Sequence, residues 1–102
     1  MRGGVAMSIK ELLKDFVERT TKNLVDNPDE VFVDVLISTK SVVVHIKTAK
    51  SDCGKVIGKK GRTIEAMKIL TLAIKNTHRP DDTRRVSLEI LEDESSPFGL
   101  RN

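Results

Sequence analysis

Apolar residues recur at helical spacing at Ile9, Leu12, Leu13, Phe16, Val17, Leu24 and Val25, which predicts an amphipathic helix near the start of the chain. Ser8-Ile9-Lys10-Glu11 at its front reads as a capping box, the serine taking an orphan backbone N–H and the glutamate reaching back to the cap. Asn27-Pro28 stops the helix. The period then changes. Val31-Phe32-Val33-Asp34-Val35-Leu36-Ile37 is rich in β-branched residues and too short for a buried helix. Ser38-Thr39-Lys40-Ser41 reads as a turn into a second strand, 42–47, with Val42, Val44 and Ile46 on one face. Val43, His45 and Lys47 take the other face, and the two strands form a hairpin.

Ser51-Asp52 offers an N-cap to a short helix, Cys53 to Ile57. Gly58-Lys59-Lys60-Gly61 interrupts it, and a long helical pattern runs from Arg62 to about His78. At 100° per residue Ile64, Met67, Leu70, Thr71 and Ile74 share one side, with Ala66, Ile69 and Ala73 on an adjacent side. So broad a stripe predicts two partners, such as the sheet and the short preceding helix. After Arg79-Pro80-Asp81-Asp82, a third strand alternates Val86, Leu88 and Ile90 against Ser87, Glu89 and Leu91. The order α–β–β–α–α–β lets the crossover through two helices pair the second and third strands in parallel. The expected fold is α+β, a three-stranded mixed sheet with helices on one face. Phe32, Leu36, Val43 and Leu91 would then lie on the open face, either as scattered surface apolars or as a dimer interface.

Length and composition narrow the class. The 102 residues allow one domain, expected over 7–92, with a short extension at 1–6 and a polar, flexible tail at 93–102. Residues 1–6 hold one Arg and no apolar stretch, so they do not read as a signal peptide. No apolar run approaches the roughly 18 residues of a membrane span. The lone Cys53 excludes an internal disulfide or a multi-cysteine zinc site and fits a reducing cytosol. Eighteen Lys plus Arg against fifteen Asp plus Glu leave only +3. What matters is placement: Lys55, Lys59, Lys60 and Arg62 fall in one segment with no acid between Asp52 and Glu65. Gly58 and Gly61 bracket two of these lysines, and glycine accepts φ > 0 and lets a foreign backbone come close. The first N–H groups of the following helix suit an anion. Together they make a seat for a phosphodiester backbone, although glycine pairs also join helices merely for tight packing.

Val56-Ile57-Gly58-Lys59-Lys60-Gly61-Arg62-Thr63-Ile64 resembles the I-G-x-x-G-x-x-I signature of KH domains, whose GXXG loop clamps backbone nucleotides. The element order resembles the type II arrangement, and the small size and the 52–61 run resemble the bacterial KhpA family of RNA-binding proteins. The resemblance implies that Gly58, Lys59, Lys60 and Gly61 hold RNA backbone, with Val56, Ile57 and Ile64 packed behind the loop or lining a base groove. Arg62 and Lys55 join that set on charge alone. It further implies an RNA chaperone that pairs with a larger multidomain KH protein (KhpB, also called Jag or EloR) and influences cell shape and peptidoglycan synthesis.

The near absence of aromatics agrees with this. With only Phe16, Phe32 and Phe98, the chain has no stacking platform of the kind RNA-recognition motifs and OB folds use. Backbone clamping over an apolar groove needs none, and it favours single strands over duplex. Enzyme readings fail on the residues. Gly54 to Lys60 lacks the spacing of a P-loop and the Ser or Thr after its lysine. Cys53 has no nearby His and reads as a buried small side chain, and His45 with one companion makes a poor metal site. His78 suits the negative end of its helix. Asp81 and Asp82 read as a solvated turn, with Arg84 and Arg85 extending the basic surface. No cofactor or metal is implied. Two functions stand: a single-stranded RNA-binding module acting as chaperone or regulator, or a dimerisation subunit of a larger KH complex whose own RNA contact is weak. Partnership is expected as a homodimer or as a heterodimer with a KhpB-like protein.

Overall fold

The computed structural model describes residues 7–91. The expected extension at 1–6 and the tail at 93–102 lie outside the described residues. Helix α1 (Ile9–Lys22) opens on the capping box: Glu11 N–H donates to Ser8 Oγ and Ser8 N–H to Glu11 Oε1, both at 3.1 Å. Such a cap stabilises a helix by about 1 kcal/mol. The helix ends three residues earlier than the apolar spacing of Leu24 and Val25 predicts. The cause is a competing acceptor. The backbone N–H groups of Asp26 and Asn27 donate to the carboxylate of Asp52, which a continued helix would forbid.

Strand β1 (Phe32–Ile37) pairs antiparallel with β2 (Ser41–Lys47). Ser38 closes the turn, its N–H donating to Ser41 O at 2.8 Å. β2 then pairs in parallel with β3 (Arg85–Leu91), so the sheet order is β1-β2-β3. Helix α2 (Cys53–Ile57) and helix α3 (Arg62–His78) form the crossover. All three helices cover one face. Leu13 and Val17 of α1, Val33 and Val35 of β1, and Val42, Val44 and Ile46 of β2 make the core with Val56, Met67 and Val86. Most of these are β-branched, stiff at χ1 and suited to the pleat.

The other sheet face is open, as expected: Phe32 is 64% exposed and Leu36 is also bare, with Val43 and Leu91 half covered. His45 stands there with Nε2 3.5 Å from Glu89 Oε1. Among the described residues no cluster of His, Cys, Asp and Glu could hold a metal, and no helix is long and apolar enough to cross a membrane.

One expectation about α3 is corrected and another holds. Its buried residues are Met67, Thr71 and Lys75, with Ile64 and Ile74 half covered, so the core side is rotated away from Leu70. Lys75 is 1% exposed because its aliphatic stem fills the core while its ammonium reaches the backbone oxygen and carboxylate of Asp82. α3 packs on α1, α2 and β3 through this side. The two expected partners, the sheet and α2, are therefore both present, while the adjacent apolar side, Ala66, Ile69, Leu70 and Ala73, faces solvent.

Candidate nucleic-acid interface

Helix α2 ends at Gly58, whose φ of 81° and ψ of 171° turn the chain sharply. Its N–H donates back to Gly54 O at 2.9 Å. A single 3-10 turn, Lys59–Gly61, follows, closed by Gly61 N–H donating to Gly58 O at 3.0 Å. Lys60 (φ 57°) and Gly61 (φ 74°) are both left-handed. Helix α3 then begins with no side chain capping it.

The two glycines are required for different reasons. A Cβ on Gly58 would stand 2.1 Å from Thr63 Oγ1, so the chain's own first helical turn occupies the space of a side chain. A Cβ on Gly61 would meet nothing within 4 Å. There the need is conformational, and the space above the backbone is open to a ligand. Lys60 adopts the strained left-handed conformation without being glycine, which a turn tied at both ends enforces.

The four cations of the segment divide into two kinds. Lys59, Lys60 and Arg62 are exposed and have no carboxylate within ion-pair distance among the described residues. Lys55 is engaged: its ammonium lies 3.4 Å from Asp26 Oδ2 and 4.0 Å from Asp52 Oδ1. Asp52 holds the N-cap position of α2, as expected, but its side chain makes no capping hydrogen bond there. It is wholly buried and accepts from Asp26 N–H, Asn27 N–H and Asn27 Nδ2 at 3.0 to 3.2 Å. Burial opposes its charge, yet these donors and the Lys55 ammonium outweigh burial and hold its carboxyl below the usual range. Asp52 thus ties the loop after α1 to the start of the glycine-bearing crossover. Nothing in the sequence signals a bond between residues 25 apart.

The apolar residues of the motif also separate. Val56 is fully buried beneath the turn, Ile57 is exposed beside it, and Ile64 is half covered on the first turn of α3. Cys53 is half-buried, its Sγ 3.4 Å from Thr48 Oγ1. Arg84 does not extend the basic surface. Its guanidinium is bound to Asp82, while Arg85 is exposed at the start of β3 on the side away from the helices.

A helix–GXXG–helix turn on a β–β–α–α–β scaffold defines a KH domain of the type II order. The chain belongs to the KhpA/KhpB family of KH domains, whose model matches residues 14–90. It is 41% identical over 81 residues to the RNA-binding protein KhpA of Chlamydia caviae, covering 79% of this chain and 99% of that one. It is 44% identical over 80 residues to the RNA-binding protein KhpA of Aquifex aeolicus, covering 78% and 96%. Among solved structures the fold resembles Era in complex with MgGDPNP and nucleotides 1506-1542 of 16S ribosomal RNA, with a TM-score of 0.64 at 12% identity. The match covers 91% of this chain and 37% of that Era chain. Aquifex aeolicus Era bound to GDP.AlF4- matches with the same TM-score at 13% identity, over 87% of this chain and 34% of that one.

Proposed function

We propose that this chain binds single-stranded RNA by seating the phosphodiester backbone on the Gly58–Lys59–Lys60–Gly61 turn, and that it acts as an RNA chaperone or post-transcriptional regulator in the reducing cytosol. The observation that carries this is the set of exposed cations without carboxylate partners, Lys59, Lys60 and Arg62, around a left-handed turn with open space above Gly61. Family membership supports the reading, since the curated relatives are RNA-binding proteins. Val56 supports the turn from below, while Ile57 and Ile64 offer apolar surface to bases. Lys55 contributes little, because its charge is already met.

The test is the double substitution Lys59→Asp/Lys60→Asp with oligouridylate as probe. Two charge-assisted phosphate hydrogen bonds at about 1.5–3 kcal/mol each predict at least a hundredfold loss of affinity. The slope of log K against log salt should flatten by about 0.7 for each phosphate that the variant no longer neutralises. Because both side chains are exposed, the thermal midpoint should not move. A folded double variant that binds as tightly as the parent sinks the reading.

Pairing belongs to the same proposal, as a homodimer or as a heterodimer with a KhpB (Jag/EloR)-like multidomain KH protein. The bare apolar side of α3, with Ile69 56% and Leu70 51% exposed, supports it. The alternative, a dimerisation subunit with weak RNA binding of its own, draws on that surface and predicts that the lysine reversal changes little.

A further inference from the structure

The lysines of the chain stand in three settings. Lys14, Lys22, Lys55, Lys68 and Lys75 each face a carboxylate within 4.0 Å. Lys10, Lys40, Lys47 and Lys50 are exposed and meet no carboxylate among the described residues. Lys59 and Lys60 are exposed and unmet in the same way, but they lie inside the glycine turn with Arg62 directly after it. There the backbone is left-handed at Lys60 and Gly61, a Cβ on Gly61 would meet nothing within 4 Å, and no side chain caps α3. A phosphate thus has room at the one place where two free lysines and a guanidinium flank open backbone. An acyl phosphate joins two functions: a doubly charged phosphate that suits such a seat, and a carbonyl carbon open to attack by an amine.

We propose that the Gly58–Gly61 turn is an acylation site, where an acyl phosphate seats its phosphate and passes its acyl group to Lys59 or Lys60, switching off RNA binding at that turn. The proposal rests on the backbone-seating reading of the turn. The step balances without a further reagent. The neutral lysine amine attacks the acyl carbon, and the bond from that carbon to the phosphate oxygen breaks. Inorganic phosphate leaves with the electron pair, and the nitrogen gives one proton to solvent. The product is an uncharged amide. Seating gives these lysines what Lys10 or Lys40 lacks, because holding both reactants together replaces a chance encounter. The flexible four-carbon stem lets the amine bend over a phosphate held one or two residues away. Lys55 is excluded from this route, since Asp26 and Asp52 beside its ammonium repel the same anion. Each acylation removes a charge that RNA needs, while bound RNA fills the seat and shields the amines. Modification therefore selects chains that hold no RNA.

The probe is acetyl phosphate on the intact chain, with the acetyl content of each lysine followed by peptide mass spectrometry. Lys59 and Lys60 should gain acetyl at least about fivefold faster than Lys10, Lys40, Lys47 or Lys50. An excess of inorganic phosphate or pentauridylate should erase that lead without slowing the comparison lysines. The acetyl thioester of N-acetylcysteamine, which carries the acyl group and no phosphate, should show no lead. One acetyl at the turn should weaken pentauridylate binding at least about tenfold, with the thermal midpoint unmoved. Lys59→Arg/Lys60→Arg keeps both charges and offers no amine, so acetyl phosphate should not alter its affinity. Equal rates at the turn and at the comparison lysines, a lead that the thioester shares, or one that phosphate does not erase overturns the acylation site, while binding of pentauridylate by untreated protein keeps the RNA reading. An acetylated turn that binds as the parent does, or an untreated parent that binds none, removes the RNA reading and the switch with it.

Discussion

The two turns that flank α3 are built in opposite ways. The turn after it, between His78 and Arg85, contains no glycine and pairs Asp82 with Arg84 and Lys75, leaving Arg79 and Asp81 exposed. Asp82 accepts from Arg84 Nε at 2.9 Å, from Arg84 Nη2 and from Arg84 N–H, and its backbone oxygen takes the ammonium of Lys75. The turn before α3 has two glycines, three residues at positive φ, and cations with no carboxylate to meet them. One end of the helix is closed on itself and serves the fold. The other is left open, at a cost in backbone strain and mutual repulsion that a bound polyanion would offset. Lysine and arginine count equally in the net charge, yet only their partners show which are held for the fold and which are available to a ligand.

The largest expected effect sharpens this contrast within the open turn itself. Gly58→Ala forces a methyl against Thr63 at a positive φ, combining overpacking with backbone strain, and should cost about 3 kcal/mol. Gly61→Ala meets open space and bears only the strain, about 1 kcal/mol. Urea denaturation of the two variants measures both. Equal losses would mean that the Thr63 side chain is not what fixes Gly58.

Much of this architecture was legible. The bounds of α3 follow from punctuation, Gly61 before it and Arg79-Pro80 after it, and the parallel pairing of β2 with β3 follows from a crossover long enough to return the chain. The glycine turn was legible because close spacing and local charge lie within one short window. What escaped depends on contacts distant in sequence or on side chains with two natures. The early end of α1 depends on Asp52, far along the chain. The rotation of α3 depends on Lys75, whose stem packs as a hydrocarbon, so a count of apolar residues assigns Leu70 to the core in its place.

Acid should distinguish the closed turn from the open one by a smaller margin. The hydrogen bonds from the Arg84 guanidinium and N–H, with the Lys75 charge, hold the Asp82 carboxyl far below its ordinary range. A depressed carboxylate stabilises the fold above its unfolded pKa of about 3.9, and that stabilisation is lost as pH falls through the lower, folded value. Asp52, also lowered, adds in the same direction. The parent should therefore hold its thermal midpoint down to about pH 4 and lose it below. Asp82→Asn should start from a lower midpoint and fall less steeply in acid, with oligouridylate affinity at neutral pH unchanged. This is the mirror image of the lysine reversal, which removes RNA and spares the midpoint. A weakened affinity in Asp82→Asn would mean that the two ends of α3 are not independent.

The smallest expected effect is the most discriminating, because it concerns a cation inside the motif segment. Lys55 lies three residues before Gly58 and counts toward the same local charge, but its ammonium already sits between Asp26 and Asp52. For a phosphate to take it, those ion pairs must be given up, so the exchange gains little. Lys55→Gln should lower affinity for oligouridylate by less than about threefold, under about 0.7 kcal/mol, and leave the salt slope unchanged. Removing the competitor runs the other way: Asp26→Asn frees Lys55 on one side and should raise affinity by a similar small factor. If Lys55→Gln instead weakens binding as much as substitution of Lys59 or Lys60, an ion-pair partner within the fold does not withdraw a lysine from RNA. The division of this molecule's cations into held and available would then fail at the residue where it is easiest to see.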